Sequence, residues 1–478
     1  MRLAREVVVN LGAVTEGADV PFGDILRAYV RADFSPRASR IALERFLRER
    51  RVPEGLFDPA AIERGDCTAT ARLLFPRVKS WELRISDAGE TQGVAVGLPE
   101  RQFGEAAELL RWGSRTNDAR RFRREFSFLG RNFLDAHVGK SPVAALRQWP
   151  GADSPGLYRR EHACVIVRSE ATTLILDPIS QVLGRFYPRV AAVPIDETRP
   201  DAVLITHGHS DHWHLPSILH SARDRAIRAV VPHVPRPSIL STDDFSRQLR
   251  MAGQNTIVAR WGSTVRVGDI EIDALPFYGE QPSRDTPTVN TDIRNWGNCY
   301  RVNTPGFSAL FMADGGADPA GDMTEVARDS RRRRGPVDAV LLCVRAFPGP
   351  FFGGLSRDWL PLRFDDLRAH HRLYRRGRLA STTAGPAGIA AICAAAGARY
   401  FLPYADGFEG VGKPISDVSW GEGEPSEAAI SADIAARIAR RRTLTKTLSW
   451  RPGDAAFFDG GTCRIARVKP PAGRRQPG

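Results

Sequence analysis

The segment Thr206-His207-Gly208-His209-Ser210-Asp211-His212 decides how this chain is read. It follows Ala202-Val203-Leu204-Ile205, four aliphatic residues set off by Pro200-Asp201. A short aliphatic run bounded by turn-forming residues reads as a buried strand, so the histidines fall on the loop where the chain leaves a sheet. Along an extended loop His207, His209 and Asp211 alternate onto one side while His212 turns away, and one segment can then serve two neighbouring metal ions. The chain has 10 histidines, and His207, His209, His212 and His214 are all spent here. A merely solvated loop has no reason to concentrate imidazole in this way.

Working outward, Ala163-Cys164-Val165-Ile166-Val167-Arg168 and Thr172-Thr173-Leu174-Ile175-Leu176 read as a buried hairpin ending in Asp177-Pro178. His162, at the mouth of that hairpin, is expected to be structural, as is the isolated His233. His214 is a candidate for the pocket mouth. Downstream, the alternating strand Ile270-Glu271-Ile272-Asp273-Ala274-Leu275 stops at Pro276 and is followed by Gly279-Glu280. The chain has no histidine between His233 and His370, so Glu280 is the donor available at this turn. Two more strands, near 298–302 and 307–313, end in Asp314-Gly315-Gly316, and a buried strand follows near 337–344. The aromatic, Gly/Pro-rich stretch 347–359 is longer than a connection needs and is expected to wall a pocket. A last strand and turn close on Pro403-Tyr404-Ala405-Asp406. His370 and His371, on a polar helical segment, are weaker alternatives as ligands.

His-x-His-x-Asp-His behind an aliphatic strand resembles the metallo-β-lactamase superfamily, over residues 158–458. The resemblance implies an α/β fold, an αββα sandwich with a dinuclear metal site at one edge. It further implies that Asp177 orients the metal loop and that Asp314 bridges the ions. Hydrolases of the superfamily place histidines where this chain has Glu280 and Asp406. In that departure the chain is similar to the diiron β-hydroxylases of the chloramphenicol pathway, which add an N-terminal domain and use a glutamate as a later iron ligand. Carried over, the resemblance implies iron ligation by His207, His209, Asp211, His212, Glu280 and Asp314, with Asp406 standing where the family has a histidine. It also implies a dimerising N-terminal domain and an aminoacyl substrate borne on a carrier protein.

The donor set supports a chemical argument of its own. One site would take His207, His209, Glu280 and Asp314, and the other Asp211, His212, Asp314 and Asp406. Two imidazoles with a carboxylate and open positions suit non-heme iron and O2, whereas zinc hydrolases lean on imidazole and thiolate and use a metal-bound water as nucleophile. Two iron ions and an oxygenase acting on a small or carrier-bound aminoacyl substrate are therefore favoured, with an external electron donor, since no flavin, dinucleotide or iron–sulfur motif is evident. The competing reading is a hydrolase with two zinc or manganese ions acting on an ester, lactone, thioester or phosphodiester; a nuclease ranks below both.

Length and composition frame these expectations. The 478 residues suggest two domains: an α+β segment 1–157 for dimerisation or docking, a catalytic domain 158–466, and a disordered tail 467–478. The boundary falls in a Pro-, Gly- and Ser-rich linker, 139–157. In the N-terminal part helices are expected at 22–31, 36–51 and 105–112 and strands at 81–85 and 93–97. Basic-aromatic interleaving over 120–137 fits an amphipathic helix pair. No apolar run approaches the roughly 18 residues of a membrane span, and six scattered cysteines suggest neither disulfides nor a thiolate zinc site, which favours the cytoplasm. The net charge of +13 resides in arginine clusters. An arginine-heavy composition needs no function, or it suits an acidic partner, either nucleic acid or a small acidic protein, and arginine clusters without a nucleic-acid module make nucleic acid unlikely; the possible homodimer is what the resemblance implies.

Overall fold

The computed structural model describes residues 2–3, 7–87, 94–112, 120, 123–124, 127, 138–139, 153–160, 162–179, 199–222, 226–242, 244–351, 357–405 and 426–467. Two sheets dominate them. The first has eight strands in the order Asn255–Ala259, Arg228–Pro232, Ala202–Leu204, Thr173–Leu176, Val165–Arg168, Gly156–Arg159, Asp454–Asp459, Thr462–Arg467. The second has seven, in the order Thr264–Val267, Ile270–Pro276, Asn298–Asn303, Ser308–Phe311, Ala339–Leu342, Tyr400–Pro403, Lys446–Thr447.

Alternation along the strands divides their side chains between two environments. Leu174, Leu176, Leu204 and Val230 from the first sheet meet Ile272, Tyr300, Phe311, Leu341 and Leu402 from the second in one core between the sheets. The opposite faces carry helices. Val203, Ile205, Ala229 and Val231 pack under Leu215–Ala222 and Phe245–Met251, and Leu310, Val340, Leu342 and Phe401 pack under Met323–Arg334, Gly385–Ala396 and Glu427–Arg440. This is the expected αββα sandwich. Each fully buried Leu, Ile, Val or Phe contributes about 1.5–3 kcal/mol, so the central strands, apolar on both faces, cannot be displaced cheaply.

The N-terminal segment forms a separate antiparallel sheet, Val7–Thr15, Val78–Asp87 and Val94–Leu98, with helices Phe22–Arg31, Pro36–Glu49 and Glu100–Trp112. The expected helices and strands are present. The first strand, not among those expected, runs nine residues, with Asn10 and Gly12 falling among apolar residues. Ile41 in the second helix is 55% exposed, while Leu43 is fully buried. The expected helix pair over 120–137 lies almost wholly outside the described residues, as does the tail from 468.

This segment does not have a core to itself. Trp81, Leu83, Leu98 and Phe103 join the layer under Leu215–Ala222, while Ile25, Tyr29, Phe34 and Leu43 bury themselves against Phe351, Trp359, Leu360 and Phe364. The second group includes Phe351 and Trp359 of the long aromatic stretch 347–359, of which 352–356 lie outside the described residues.

Candidate metal centre

Every element of the site enters at one end of the sandwich. His207 follows the strand Ala202–Leu204 and bridges to Gly297 across the gap between the sheets. A side chain at Gly297 would place its first carbon 2.8 Å from the Thr206 carbonyl and 2.9 Å from His207 Cβ, so only glycine permits this approach. Phe277 stacks on the His207 imidazole, with centroids 5.1 Å apart. The extended backbone ends at His209, whose carbonyl accepts hydrogen bonds from the amides of His212 (2.9 Å) and Trp213 (2.7 Å). That helical turn corrects the simple alternation: it separates Asp211 from His207 and His209 and groups it with His212.

Glu280 arrives from the second sheet. Gly279, at φ +94°, packs its α-carbon where a side chain would strike the Gly316 amide and the Thr382 carbonyl, and Glu280 itself is left-handed at φ 48°. This tight corner turns the carboxylate inward, with Oε2 2.9 Å from His207 Nε2 and Oε1 3.0 Å from His209 Nδ1. Asp314 follows Ser308–Phe311 by way of Ala313, also left-handed at φ 44°, whose amide donates to Tyr404 Oη at 2.8 Å. Its Oδ2 lies 2.8 Å from His212 Nε2 and 3.9 Å from His207 Nε2, between the two groups of donors.

Behind the loop stands Asp177, fully buried at the end of Thr173–Leu176. It accepts from the Thr206 amide (2.8 Å), from Thr206 Oγ1 (2.6 Å) and from His212 Nδ1 (2.8 Å). The orienting role expected of it is thus present in its contacts. A carboxylate on Nδ1 leaves Nε2 of His212 as the atom that faces Asp314. Asn295 stands beside His209. Its Nδ2 lies 3.3 Å from His209 Nε2 and donates to Glu280 Oε2 at 3.5 Å, tying the imidazole to the carboxylate.

The residue that sequence reasoning missed is His162. Expected to be structural, it instead sits inside the cluster, with Nε2 3.1 Å from Asp211 Oδ2 and 3.3 Å from His212 Nε2. The register of the first hairpin explains this: Val165 pairs with Leu176, so the residues just before Val165 lie beside Asp177. Asp406 lies outside the described residues. Its neighbour Ala405 donates a backbone hydrogen bond to the His162 carbonyl at 3.1 Å.

Other histidines stay apart. His214 is buried against Ser217, His233 faces Arg260, His370 meets Ser283, and His371 packs on Phe34. A second residue missed is Asn295, whose side chain reaches both His209 and Glu280.

The donors fall into three overlapping sets, His207/His209/Glu280, His162/Asp211/His212 and His207/His212/Asp314, each with its ligand atoms within 4.8 Å. Burial and the charges of His212 and His209 hold the His207 imidazole well below its ordinary pKa, and its Nε2 is buried without a hydrogen-bond partner. Burial works against a charge on His209 and His212 also. There the carboxylates win, raising His209 to about 9 chiefly through Glu280, and lifting His212 well above its usual value through Asp314 and Asp177. A neutral, lone imidazole nitrogen enclosed by carboxylates suits a pair of cations. Sulfur is absent from the set, and oxygen and imidazole are mixed.

The family model for the Beta-lactamase superfamily domain matches residues 172–403. The matched stretch, just under half of the chain, is similar to that domain. That domain spans the strands that supply Asp177, the histidine loop, Glu280 and Asp314. A curated relative from Streptomyces venezuelae, 4-amino-L-phenylalanyl-(CmlP-peptidyl-carrier-protein) 3-hydroxylase, is 32% identical over 215 residues. The match covers 43% of this chain and 37% of that protein. Among solved structures, CmlA, a diiron β-hydroxylase from the same organism, superposes with a TM-score of 0.57 at 18% identity, over 98% of this chain and 99% of that one. A mutant of the CmlA β-hydroxylase gives 0.56 at 16% identity, over 98% and 100%. The likeness in fold therefore extends beyond the β-lactamase superfamily domain into the N-terminal segment.

Proposed function

We propose that this chain is a dinuclear non-heme iron oxygenase that hydroxylates a C–H bond of an aminoacyl group carried as a thioester on a carrier protein. The observation that carries the reading is Glu280, a carboxylate set against both His207 and His209 where an imidazole would favour zinc hydrolysis. The curated relative, a hydroxylase of a carrier-bound aminoacyl group, supports the substrate class.

In this reading His207, His209 and Glu280 hold one ion, His162, Asp211 and His212 hold the other, and Asp314 is shared between them. Two iron ions there would supply O2-dependent oxidation, with electrons from an external donor. Asp177 fixes the tautomer of His212 through Nδ1, and Phe277 stacks on the His207 imidazole and covers it from one side. Among the described residues no helix is long and apolar enough to cross a membrane, and all six cysteines are free, in keeping with a cytoplasmic enzyme. Residues 1–157 form the N-terminal unit of this enzyme, 158–466 the catalytic one, and a homodimer through the N-terminal unit belongs to the same proposal.

One observation favours a hydrolase instead. His162 gives the second site two imidazoles, closer to a hydrolase than the Asp406 ligand set would be. Metal analysis of protein expressed without added metal, with a Mössbauer spectrum of the iron-57 form, separates the two. About two irons per chain with a coupled diferric signal supports the oxygenase; two zinc ions, undisplaced by iron supplementation, would sink it.

A further inference from the structure

A cleft of about 700 Å³ lies outside the metal centre, between the N-terminal sheet and the loop that leads into the helix Phe245–Met251. Residues 76–81 and 97–100 form one wall, and Pro237, Thr242, Asp244 and Arg247 the other. The two walls are tied together at several points. The Ile239 amide donates to the Leu74 carbonyl at 2.9 Å, the Arg236 guanidinium lies 3.5 Å over the Phe75 ring, and Arg247 pairs with Glu100 at 3.1 Å. The cleft is therefore formed in advance of any ligand, and its volume falls within the roughly 300–1,000 Å³ of sites that take organic molecules.

Its charges are unevenly used. Of the two acids in the lining, Glu100 is held by Arg247, and Asp244 accepts from the Ser246 amide (2.9 Å) and hydroxyl (2.6 Å) at the start of its helix. Arg77 and Lys79 are left over: among the described residues neither makes an ion pair. Glu16, whose charge Lys79 feels, is already held by Arg72 at 3.1 Å. Lys79 is also the extra residue of a β-bulge, since Val14 pairs with Ser80 and Thr15 with Val78. Bulges redirect side chains at functional edges. An arginine and a lysine on one wall suit a compact anion with several acceptor oxygens, and phosphate is such an anion. The cleft is far larger than a bare phosphate, and Pro76, Leu98, Pro99 and Pro237 give it apolar sides for an organic chain.

The cleft also adjoins the metal loop. Phe245, next to Asp244, packs on Gly208 so closely that a side-chain carbon there would lie 3.1 Å from its ring, and Ser241 Oγ accepts from the Trp296 amide at 2.9 Å, beside Asn295. An acyl group carried as a thioester hangs from a pantetheine chain that ends in a phosphate. Extended, that chain spans about 15 Å, the reach of four to five residues.

We propose that this cleft holds the phosphate of the pantetheine arm, with Arg77 and Lys79 as its partners. This rests on the carrier-bound reading of the substrate and adds where the arm is held and by which side chains.

The test uses the full metal-loaded chain and two non-hydrolysable probes, the pantetheine amide of phenylalanine with and without its terminal phosphate, together with inorganic phosphate. Binding is read by calorimetry at low salt, with metal content determined on each sample. The phosphorylated probe is expected to bind about 10-fold more tightly than the other, with an advantage that shrinks as salt is raised. In the double substitution Arg77→Ala, Lys79→Ala the advantage disappears, while metal content and the affinity of the unphosphorylated probe stay the same. Equal binding of the two probes by the unaltered chain overturns the proposal. It is likewise overturned if the doubly substituted chain keeps the advantage, or if inorganic phosphate binds as tightly as the phosphorylated probe, which would make the cleft a site for the free anion. Failure of both probes to bind removes the carrier-bound reading and this inference with it. An advantage dependent on Arg77 and Lys79 in a chain that holds zinc leaves the inference standing and removes the oxygenase reading.

Discussion

Asp177 and His212 form a fully buried pair, Oδ2 to Nδ1 at 2.8 Å, and the same Asp177 carboxylate holds the amide and hydroxyl of Thr206. One side chain from the first hairpin thereby sets both the path of the histidine loop and the nitrogen that His212 presents. Asp177→Asn keeps the shape but not the charge. Its expected effect is a loss of about 10- to 100-fold in metal affinity, measured by competition against a chelator of known affinity.

His162 carries a sharper expectation. If it completes the second site with Asp211 and His212, then His162→Ala releases one of the two ions and leaves the one at His207, His209 and Glu280. Metal content per chain, with circular dichroism to show that the fold is intact, checks this. Retention of both ions would return His162 to a structural role and restore interest in the turn that follows Ala405.

Glu280→His converts the corner toward the hydrolase pattern. The substituted chain is expected to bind zinc in preference to iron when both are supplied, and to lose O2-dependent hydroxylation. The left-handed φ of 48° at this position makes Glu280→Gly the control for backbone strain.

Much of this centre was legible in the chain because its parts are local. A strand followed by spaced histidines, and strands that end in Asp314 or at Gly279-Glu280, announce themselves through period and turn residues. His162 was not legible in that way, since a lone histidine before a strand carries no spacing. The signal that could have found it is the hairpin itself: once Val165 is paired with Leu176, residue 162 must lie at the metal edge with Asp177. Asn295 could not be found by local rules, because it reaches the site through long-range packing of an irregular segment.

The pair of Asp273 and Arg334 supplies a pH dependence away from the metals. Burial disfavours the Asp273 charge, but hydrogen bonds from Arg334 (2.7 and 3.0 Å) and Thr264 outweigh it and hold the carboxyl below its ordinary range. A depressed carboxyl stabilises the fold above the unfolded-state value of roughly 3.9, and that contribution is lost as pH falls through the lower folded value. Arg334→Met is therefore expected to move the acid-unfolding midpoint to higher pH while costing no more than about 1 kcal/mol near neutrality. Ellipticity followed from pH 6 downward gives the answer.

Trp359 is fully buried against Tyr29. Truncation to alanine is expected to cost about 3–5 kcal/mol, seen as a lower denaturant midpoint, whereas Trp359→Phe should cost less.

The joint core of Tyr29, Phe34, Phe351, Trp359 and Phe364 also limits how freely this protein can be taken apart. Cutting the chain in the stretch before residue 157 would not liberate a stable remainder, because Phe351, Trp359 and Phe364 would lose the side chains they pack against. Chimeras that exchange the first third of the chain should accordingly lose stability unless the facing residues of 351–364 are exchanged with it. Modularity in this chain is thus set by which side chains share a core, not by where the sequence turns rich in proline and glycine.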